Sequence, residues 1–182
     1  VVNGKLLPSR HRISGEWGHC ALPWPAPEEL PGPACYCGLH GCIETWLSGP
    51  GMADDHRRHT GQELTAQAIA AAAMAGDAAA RATLDRHASR FARGLVMVIN
   101  LLDPEVIVLG GGLSRMDSLY QEIPRRWNQH IFADQPVSTR LLPPLHGDSS
   151  GVRGAAWPRH FNKVIAETMD AHIQSVGLPE WS

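Results

Sequence analysis

The chain has 182 residues, of which 43% are hydrophobic and 19% charged, and its net charge at pH 7 is −2. This size predicts one globular domain, or one large and one small lobe, with a substantial buried core. The near-neutral charge argues against unaided DNA or RNA binding, and the lack of long apolar runs argues against a membrane span or signal peptide.

The first third of the chain is rich in turn signals. Residues 1–7 read as a β-hairpin around Asn3-Gly4, whose short first strand suggests that the chain starts after its true beginning. Residues 21–34 contain five prolines and are expected to form an irregular surface loop. Residues 41–49 predict a helix that ends near Ser48-Gly49-Pro50.

The middle of the chain predicts two helices. The first is an alanine-rich segment, residues 62–75, which Gly76 terminates. The second is capped by Asp77, runs to about Leu102 and stops at Asp103-Pro104. Its expected apolar face consists of Leu84, Ala88, Phe91, Leu95, Ile99 and Leu102.

The remaining elements alternate between strand and helix. Residues 105–109 predict a parallel strand covered on both faces, followed by three glycines and a helix over 114–132. A strand is expected around 137–142, and a further helix from about Ser149. This order predicts an α/β architecture, whose ligands bind at the carboxyl ends of the strands.

Three of the four cysteines lie within eight residues. Cys35, Cys37 and Cys42 share a loop with two glycines, and His19 can supply a fourth ligand. Three thiolates and one imidazole form a complete tetrahedral set for a structural Zn²⁺ ion, as expected for metal binding in a reducing cytoplasm. On spacing alone Cys20 or His40 could be the fourth ligand instead, and ordinary buried thiols are the simpler alternative.

Two carboxylates flank this cluster. Glu16 precedes His19 by three residues, and Glu44 follows Cys42 by two. Metal ligation nearby would fix both, and a carboxylate can accept hydrogen bonds from two neighbouring sugar hydroxyls. The simpler alternatives are an acid favoured at a helix N-terminus for Glu44 and a solvated turn for Glu16.

Gly110, Gly111 and Gly112 follow the predicted strand and precede a helix. Glycines at such a turn allow the backbone to approach a nucleotide, and the helix N-terminus favours phosphate. The same pattern also fits a plain tight turn between strand and helix.

Together these motifs resemble the ROK family of sugar kinases and sugar-responsive repressors. The resemblance rests on residues 15–19, 35–44, 103–112 and 146–157, and covers roughly residues 1–157. The tryptophan after Glu16, the proline loop and the Gly-Asp-Ser-Ser-Gly-Val-Arg-Gly run look most like bacterial fructokinases of that family.

The resemblance implies an actin-like (ribonuclease H-like) ATPase fold. Residues 1–150 would be the C-terminal lobe with a zinc loop at 19–42, and residues 151–182 a helical segment. It implies zinc on His19, Cys35, Cys37 and Cys42, and nucleotide at Gly110, Gly111 and Gly112. Sugar hydroxyls would lie on Glu16, His19 and Glu44.

The implied reaction is phosphoryl transfer from Mg-ATP to a hexose, with fructose or mannose favoured and a cytoplasmic homodimer as the assembly. Family kinases also carry an Asp-x-Gly-Gly-Thr phosphate loop and an Asn-Asp-Ala-Asn stretch with the catalytic base, and neither motif occurs in these 182 residues. The 182 residues alone are therefore expected to be inactive and to contain no catalytic residue. Alternatives are the sugar-sensing lobe of a ROK repressor and a zinc-stabilised sugar-binding module.

Overall fold

The computed structural model describes residues 10, 11 and 13–146. Five α-helices follow in chain order: α1 (Ile43–Leu47), α2 (Gly49–Thr60), α3 (Ala66–Met74), α4 (Ala78–Leu102) and α5 (Asp117–Trp127). Strands β1 (Val106–Val108) and β2 (Arg140–Leu142) pair in parallel, with Ile107 opposite Leu141. Short 3₁₀ helices occupy Trp17–His19, Pro27–Glu29 and Gly112–Arg115. The predicted hairpin at residues 1–7 and the predicted helix after Ser149 lie outside the described residues.

The long helix α4 confirms the predicted boundaries. The Asp77 side chain accepts a hydrogen bond from the Ala80 backbone N–H, and the helix ends at Asp103 in the left-handed conformation, just before Pro104. The predicted apolar face is buried from Ala88 to Ile99, and Leu84 is half-buried. Its extension to Leu102 was wrong, since Leu102 is 73% exposed, directly before the end of the helix at Asp103.

The core forms on both sides of α4. The larger cluster joins α1, α4, α5 and the strands, and includes Ile43, Trp46, Leu95, Ile123 and Trp127. A smaller cluster joins α2 and α3 through Met52 and Ile69. This packing holds α1, which carries Glu44, directly against the long helix.

The helix α2 was not predicted. Pro50 was interpreted as a stop, but it lies in the first turn of α2, where a proline loses no intrahelical hydrogen bond. Ser48 caps this helix by accepting a hydrogen bond from the Gly51 N–H at 3.1 Å. The prediction of a helix end near Ser48 was therefore correct, but a new helix begins at once.

Other boundaries are shorter than predicted. The helix α3 begins at Ala66 because Thr65 caps it, so residues 62–65 stay outside. The segment 114–132 begins instead as a 3₁₀ turn and becomes α5 from Asp117 to Trp127. The expectation of a strand covered on both faces was not met within the described residues, since Val108 is 49% exposed. None of the helices in this part of the chain is long and apolar enough to cross a membrane.

A buried network of charges fixes the proline loop to α4. Glu29 lies between Arg90 (2.7 Å) and Arg93 (2.8 Å), and Arg90 also binds Asp55 of α2 at 2.7 Å. Arg93 additionally donates to the backbone carbonyl of Trp24 at 2.6 Å. Because these groups are almost completely buried, each charge depends on its partners for stabilisation.

Candidate functional site

The structure brings four predicted ligands into one cluster. The donor atoms of His19, Cys35, Cys37 and Cys42 all lie within 4.8 Å of one another. The Sγ atoms of Cys37 and Cys42 are 3.6 Å apart, and Cys35 Sγ is 3.5 Å from His19 Nδ1. No other group of three or more His, Cys, Asp or Glu side chains with this closeness occurs among the described residues.

These spacings suit a tetrahedral zinc ion. With Zn–S bonds of about 2.3 Å and Zn–N bonds of about 2.0–2.1 Å, tetrahedral angles place two sulfurs about 3.8 Å apart and sulfur and nitrogen about 3.5 Å apart. The Cys37–Cys42 and Cys35–His19 separations lie within a few tenths of an ångström of these two values, and every other pair of donor atoms is within 4.8 Å. The donor set and its geometry therefore fit the ion that the sequence predicts.

Loop backbone geometry creates this convergence. The Cys35 N–H donates to the Leu39 carbonyl at 2.8 Å, and Gly38 turns the chain with φ of 90°. Isolated antiparallel bridges then join Ala34 to His40 and Ala21 to Cys42. The second bridge aligns the segment after His19 with the end of the cysteine loop, so that residues far apart in sequence share one site.

The neighbouring groups make the thiols chemically unequal. A hydrogen bond from the Leu39 backbone is the main reason that the pKa of Cys37 falls to about 7. For Cys35, a hydrogen bond from the Cys37 backbone favours the thiolate, but burial and the Glu44 carboxylate outweigh it and raise the pKa to about 12. Cys35 accordingly donates its S–H to Glu44 Oε1 at 3.2 Å.

The two alternative fourth ligands lie outside the cluster. Cys20 is exposed, and its Sγ contacts the Glu16 carbonyl at 4.0 Å. His40 is exposed and contributes no donor atom to the four-residue group. Among the residues adjacent to the loop, the geometry therefore favours His19.

Both predicted carboxylates lie beside His19. Glu44 Oε1 is 3.8 Å from His19 Nδ1, and Glu16 Oε2 is 3.9 Å from His19 Nε2. Their side chains are 35% and 57% exposed, so both can reach a ligand from solvent. The three side chains thus form a polar surface over the cluster, defined here as the Glu16–His19–Glu44 triad.

Trp17 fixes the short helix that contains His19 and begins directly after Glu16. Its indole Nε1–H donates to the Gly94 carbonyl of α4 at 3.2 Å. A Cβ on Gly94 would lie only 3.1 Å from both Trp17 and Leu47, which explains a glycine in the middle of α4. From the sequence Trp17 was identified only as a motif residue, and this anchoring contact was not predicted.

The structure also shows a contact of Tyr36 that sequence reasoning missed. Its hydroxyl is 2.7 Å from His19 Nε2, and the two rings meet edge to face with centroids 5.0 Å apart. An aromatic residue between two closely spaced cysteines was the available signal.

Of the three glycines, Gly112 lines a cavity of about 680 Å³, and no triad residue is among the residues that line it. This cavity lies between α3, α4 and the turn at Gly112, and Arg81 and Asp117 are among its polar lining residues. Among the described residues, no atom lies within 4 Å of a Cβ placed at Gly110, Gly111 or Gly112. Gly111 has φ of 82°, which favours glycine whatever the ligand.

Gly32 provides a test of how the proline loop supports the cluster. It has φ of 84°, and a Cβ there would lie 2.5 Å from the Cα of Gly41, the residue before Cys42. We expect Gly32→Ala to lower the free energy of unfolding by about 1–3 kcal/mol more than left-handed strain alone, and to weaken metal binding. Gly61→Ala is the matched control, since Gly61 has φ of 73° and no atom of the described residues lies within 4 Å of a Cβ placed there. Equal losses in urea unfolding would show that the close approach to Gly41 is unimportant.

Comparison with known proteins places these features in a family. The ROK family model matches residues 1–160. The N-acetyl-D-glucosamine kinase of Yersinia enterocolitica is 37% identical over 161 residues, which cover 86% of this chain and 53% of that protein. The chain thus spans about half the length of the curated relatives that it matches.

Solved structures of ROK family proteins also match the fold of this chain. A ROK family glucokinase from Streptomyces griseus, in complex with glucose and AMPPNP, has a TM-score of 0.68 and 25% identity, and the match covers 84% of this chain and 53% of that one. A ROK family transcriptional regulator, a homologue of the E. coli MLC protein, has a TM-score of 0.56 and 26% identity, and the match covers 70% and 33% of the two chains. These neighbours support the predicted actin-like fold. The chain belongs to the ROK family.

Proposed function

We propose that this chain carries the sugar-binding and nucleotide-binding parts of a hexose kinase, which transfers a phosphoryl group from Mg-ATP to a sugar hydroxyl. The observation that carries this proposal is the convergence of Glu16, His19 and Glu44 at one side of the cysteine cluster. The relatives support it, because the Yersinia protein is an N-acetyl-D-glucosamine kinase and the Streptomyces glucokinase was solved with glucose and an ATP analogue.

The proposed metal is a structural Zn²⁺ on His19, Cys35, Cys37 and Cys42. When bound it would cross-link the two loops, and with four protein ligands it would keep no open position for water. His19 and Cys42 belong to the segments that carry Glu16 and Glu44. Fixing these two ligands therefore restricts where both carboxylates can point.

The triad offers complementary groups to a sugar. Each carboxylate can accept hydrogen bonds from neighbouring hydroxyls, and hydrogen bonds to a charged acceptor are the stronger kind. With Nδ1 of His19 on the metal side, the ring proton lies on Nε2, which can donate to a sugar oxygen. This combination of two acceptors and one donor suits a polyol better than an anionic ligand.

The proposed nucleotide site is the cavity of about 680 Å³ beside Gly112. Its volume falls within the range of small-molecule sites, roughly 300–1,000 Å³. Because glycine has no side chain of its own, the backbone of Gly110, Gly111 and Gly112 can approach a nucleotide closely. Arg81 adds a cationic group to the lining.

We further propose fructose or mannose as the preferred hexose. The support is the sequence resemblance at the Glu-Trp-Gly-His motif, the proline loop and the Gly-Asp-Ser-Ser-Gly-Val-Arg-Gly run. Titration calorimetry of the zinc-loaded chain with fructose, mannose, glucose and N-acetyl-D-glucosamine tests the choice. Tightest binding of N-acetyl-D-glucosamine would overturn the preference and leave the kinase proposal intact.

Glu44→Gln tests the sugar site itself. We expect sugar affinity to fall about 10- to 100-fold, because the variant loses a charge-assisted hydrogen bond worth roughly 1.5–3 kcal/mol. Glu63→Gln, at an exposed position in the segment between α2 and α3, is the matched control and should bind sugar as the wild type does. If no sugar gives heat with the wild type, or if both variants bind equally, the triad is not a sugar site.

The solved regulator supports a second candidate, the sugar-sensing lobe of a repressor. Both candidates share the triad, and they differ in the use of the cavity at Gly112. Binding of the magnesium complex of AMPPNP, measured by calorimetry, supports the kinase. Sugar binding without nucleotide binding favours the sensor.

A further inference from the structure

The Tyr36 hydroxyl occupies the position that a sugar oxygen would need. His19 Nδ1 lies 3.5 Å from Cys35 Sγ, on the side of the cluster, so Nε2 is the ring nitrogen left for a ligand. That nitrogen is 2.7 Å from Tyr36 Oη and 3.9 Å from Glu16 Oε2. A hydroxyl bound jointly by Nε2 and Glu16 therefore cannot coexist with Tyr36 in its present place.

Little else holds the Tyr36 side chain. The residue is 85% exposed, and its ring meets the imidazole only edge to face. Within the described part of the chain, the hydrogen bond to His19 is the one that its hydroxyl makes. Moving the ring into solvent would thus break one hydrogen bond and little packing.

We propose that Tyr36 is a displaceable placeholder, which satisfies His19 Nε2 when no sugar is bound and swings away when a sugar hydroxyl takes its place. This inference rests on the proposed sugar site at the triad. The phenol resembles a sugar hydroxyl chemically, since it too can accept a hydrogen bond from Nε2–H while keeping its own proton at neutral pH. Tyr36 accordingly holds the His19 ring in place when no sugar is bound, and its hydroxyl competes with the sugar for the hydrogen bond from Nε2.

Tyr36→Phe separates this role from that of a sugar contact. The variant keeps the ring but removes the competing hydroxyl, so we expect fructose to bind the zinc-loaded chain about two- to tenfold more tightly in calorimetry. Tyr120→Phe is the matched control, because the Tyr120 hydroxyl donates to the Ser114 carbonyl at 2.7 Å, outside the triad. Its fructose affinity should be unchanged. Weaker or unchanged binding by Tyr36→Phe would overturn the placeholder role.

A second readout needs no sugar. In the zinc-loaded wild type, the Nε2–H proton of His19 should give a solvent-protected NMR signal, and Tyr36→Phe should lose that protection. Addition of fructose to the wild type should shift the Tyr36 ring signals toward those of a free tyrosine. An Nε2–H signal equally protected in both proteins would overturn the inference. If the signal behaves as expected but fructose, mannose, glucose and N-acetyl-D-glucosamine all fail to bind, the proposed sugar site fails and the placeholder role fails with it.

Discussion

Replacement of Cys42 by serine is expected to abolish both metal binding and sugar binding. Cys42 is 1% exposed, and its Sγ is 3.6 Å from that of Cys37. Loss of a hydrogen-bonding partner of a metal ligand already lowers metal affinity roughly 10- to 100-fold, and loss of a ligand should exceed this. Structural zinc sites contribute about 10–16 kcal/mol of apparent binding free energy, so the cysteine loop that precedes Glu44 should lose its order.

The substitution is informative because serine preserves other roles of Cys42. Cys42 is also the residue that precedes the first turn of α1, a position where serine is among the preferred residues. Local helix formation should therefore survive, and a loss can be assigned to the missing thiolate. Zinc content by mass spectrometry, the Tm from circular dichroism, and fructose calorimetry measure the three consequences.

Cys20→Ser is the matched control. Cys20 adjoins His19 in sequence, but it is exposed and is not one of the four clustered residues. We expect it to keep one zinc per chain and a wild-type Tm. If Cys20→Ser and Cys42→Ser lose zinc to the same extent, the fourth ligand has been misassigned. If neither loses zinc, the cluster is not the metal site.

Treatment with a chelator provides a measurement without substitution. Removal of the metal from the wild type should reproduce the lower Tm of Cys42→Ser. Most of the helical circular dichroism signal should stay, because the two hydrophobic clusters around α4 contain no residue of the 35–42 loop. Added zinc should restore sugar binding in the wild type and not in the variant. An unchanged Tm after chelation would contradict a structural role for the metal.

Local signals predicted the parts of the fold where sequence and packing agree. The helix α4 was located well because a cap, a consistent apolar period and Asp103-Pro104 coincide. The helix α2 was missed because Pro50 is compatible with a stop and with a start, and only the Ser48 cap decides between them. The ROK membership came from the resemblance of whole motifs, since a strand followed by glycines is too common to identify a family.

The site was predictable as a set of residues but not as a geometry. Cysteine spacing and nearby carboxylates indicated which side chains to consider, while the bridge between Ala21 and Cys42 that brings His19 to the loop depends on long-range pairing. The anchoring of Trp17 to Gly94 likewise joins residues 77 positions apart. Such contacts leave no periodic signal in the sequence. The zinc ion, the sugar and the homodimer stay predictions.

The buried charges were missed for a related reason. Arg86, Arg90 and Arg93 follow one another at helical spacing along α4, a pattern that normally indicates a solvated face. Here Arg90 and Arg93 are 4% and 6% exposed, because Glu29 from the proline loop and Asp55 from α2 lie against them. Residues 21–34 were predicted to form a surface loop, whereas Glu29 in this segment is part of the interior.

Glu29→Gln is expected to destabilise the chain by about 3–5 kcal/mol, the usual effect of removing one partner from a buried ion pair. The reason is that Arg90 and Arg93 would stay buried while losing a charged acceptor at 2.7 and 2.8 Å. Asp55 would still form an ion pair with Arg90, so the loss of the Glu29 charge should destabilise Arg93 more than Arg90. Urea unfolding at neutral pH measures the change. Glu28→Gln is the matched control, because the carboxylate of Glu28 is exposed and its replacement should change the free energy of unfolding by no more than about 0.5 kcal/mol.

Acid unfolding offers a second test of the same group. Burial alone raises the pKa of Glu29, but hydrogen bonds from Arg93 and Arg90 outweigh it and lower the pKa from 4.5 to about 2. A carboxyl group whose pKa is lower in the folded state stabilises fully above its unfolded pKa. That stabilisation disappears as the pH falls from about 4.5 to about 2. The wild type should therefore lose stability across this window, and Glu29→Gln should lose distinctly less.

The buried His87, whose pKa burial lowers from 6.5 to about 4, acts mainly at higher pH and should affect both proteins equally. Parallel stability profiles for wild type and Glu29→Gln between pH 4.5 and 2 would show that Glu29 is not the charge on which the two arginines depend.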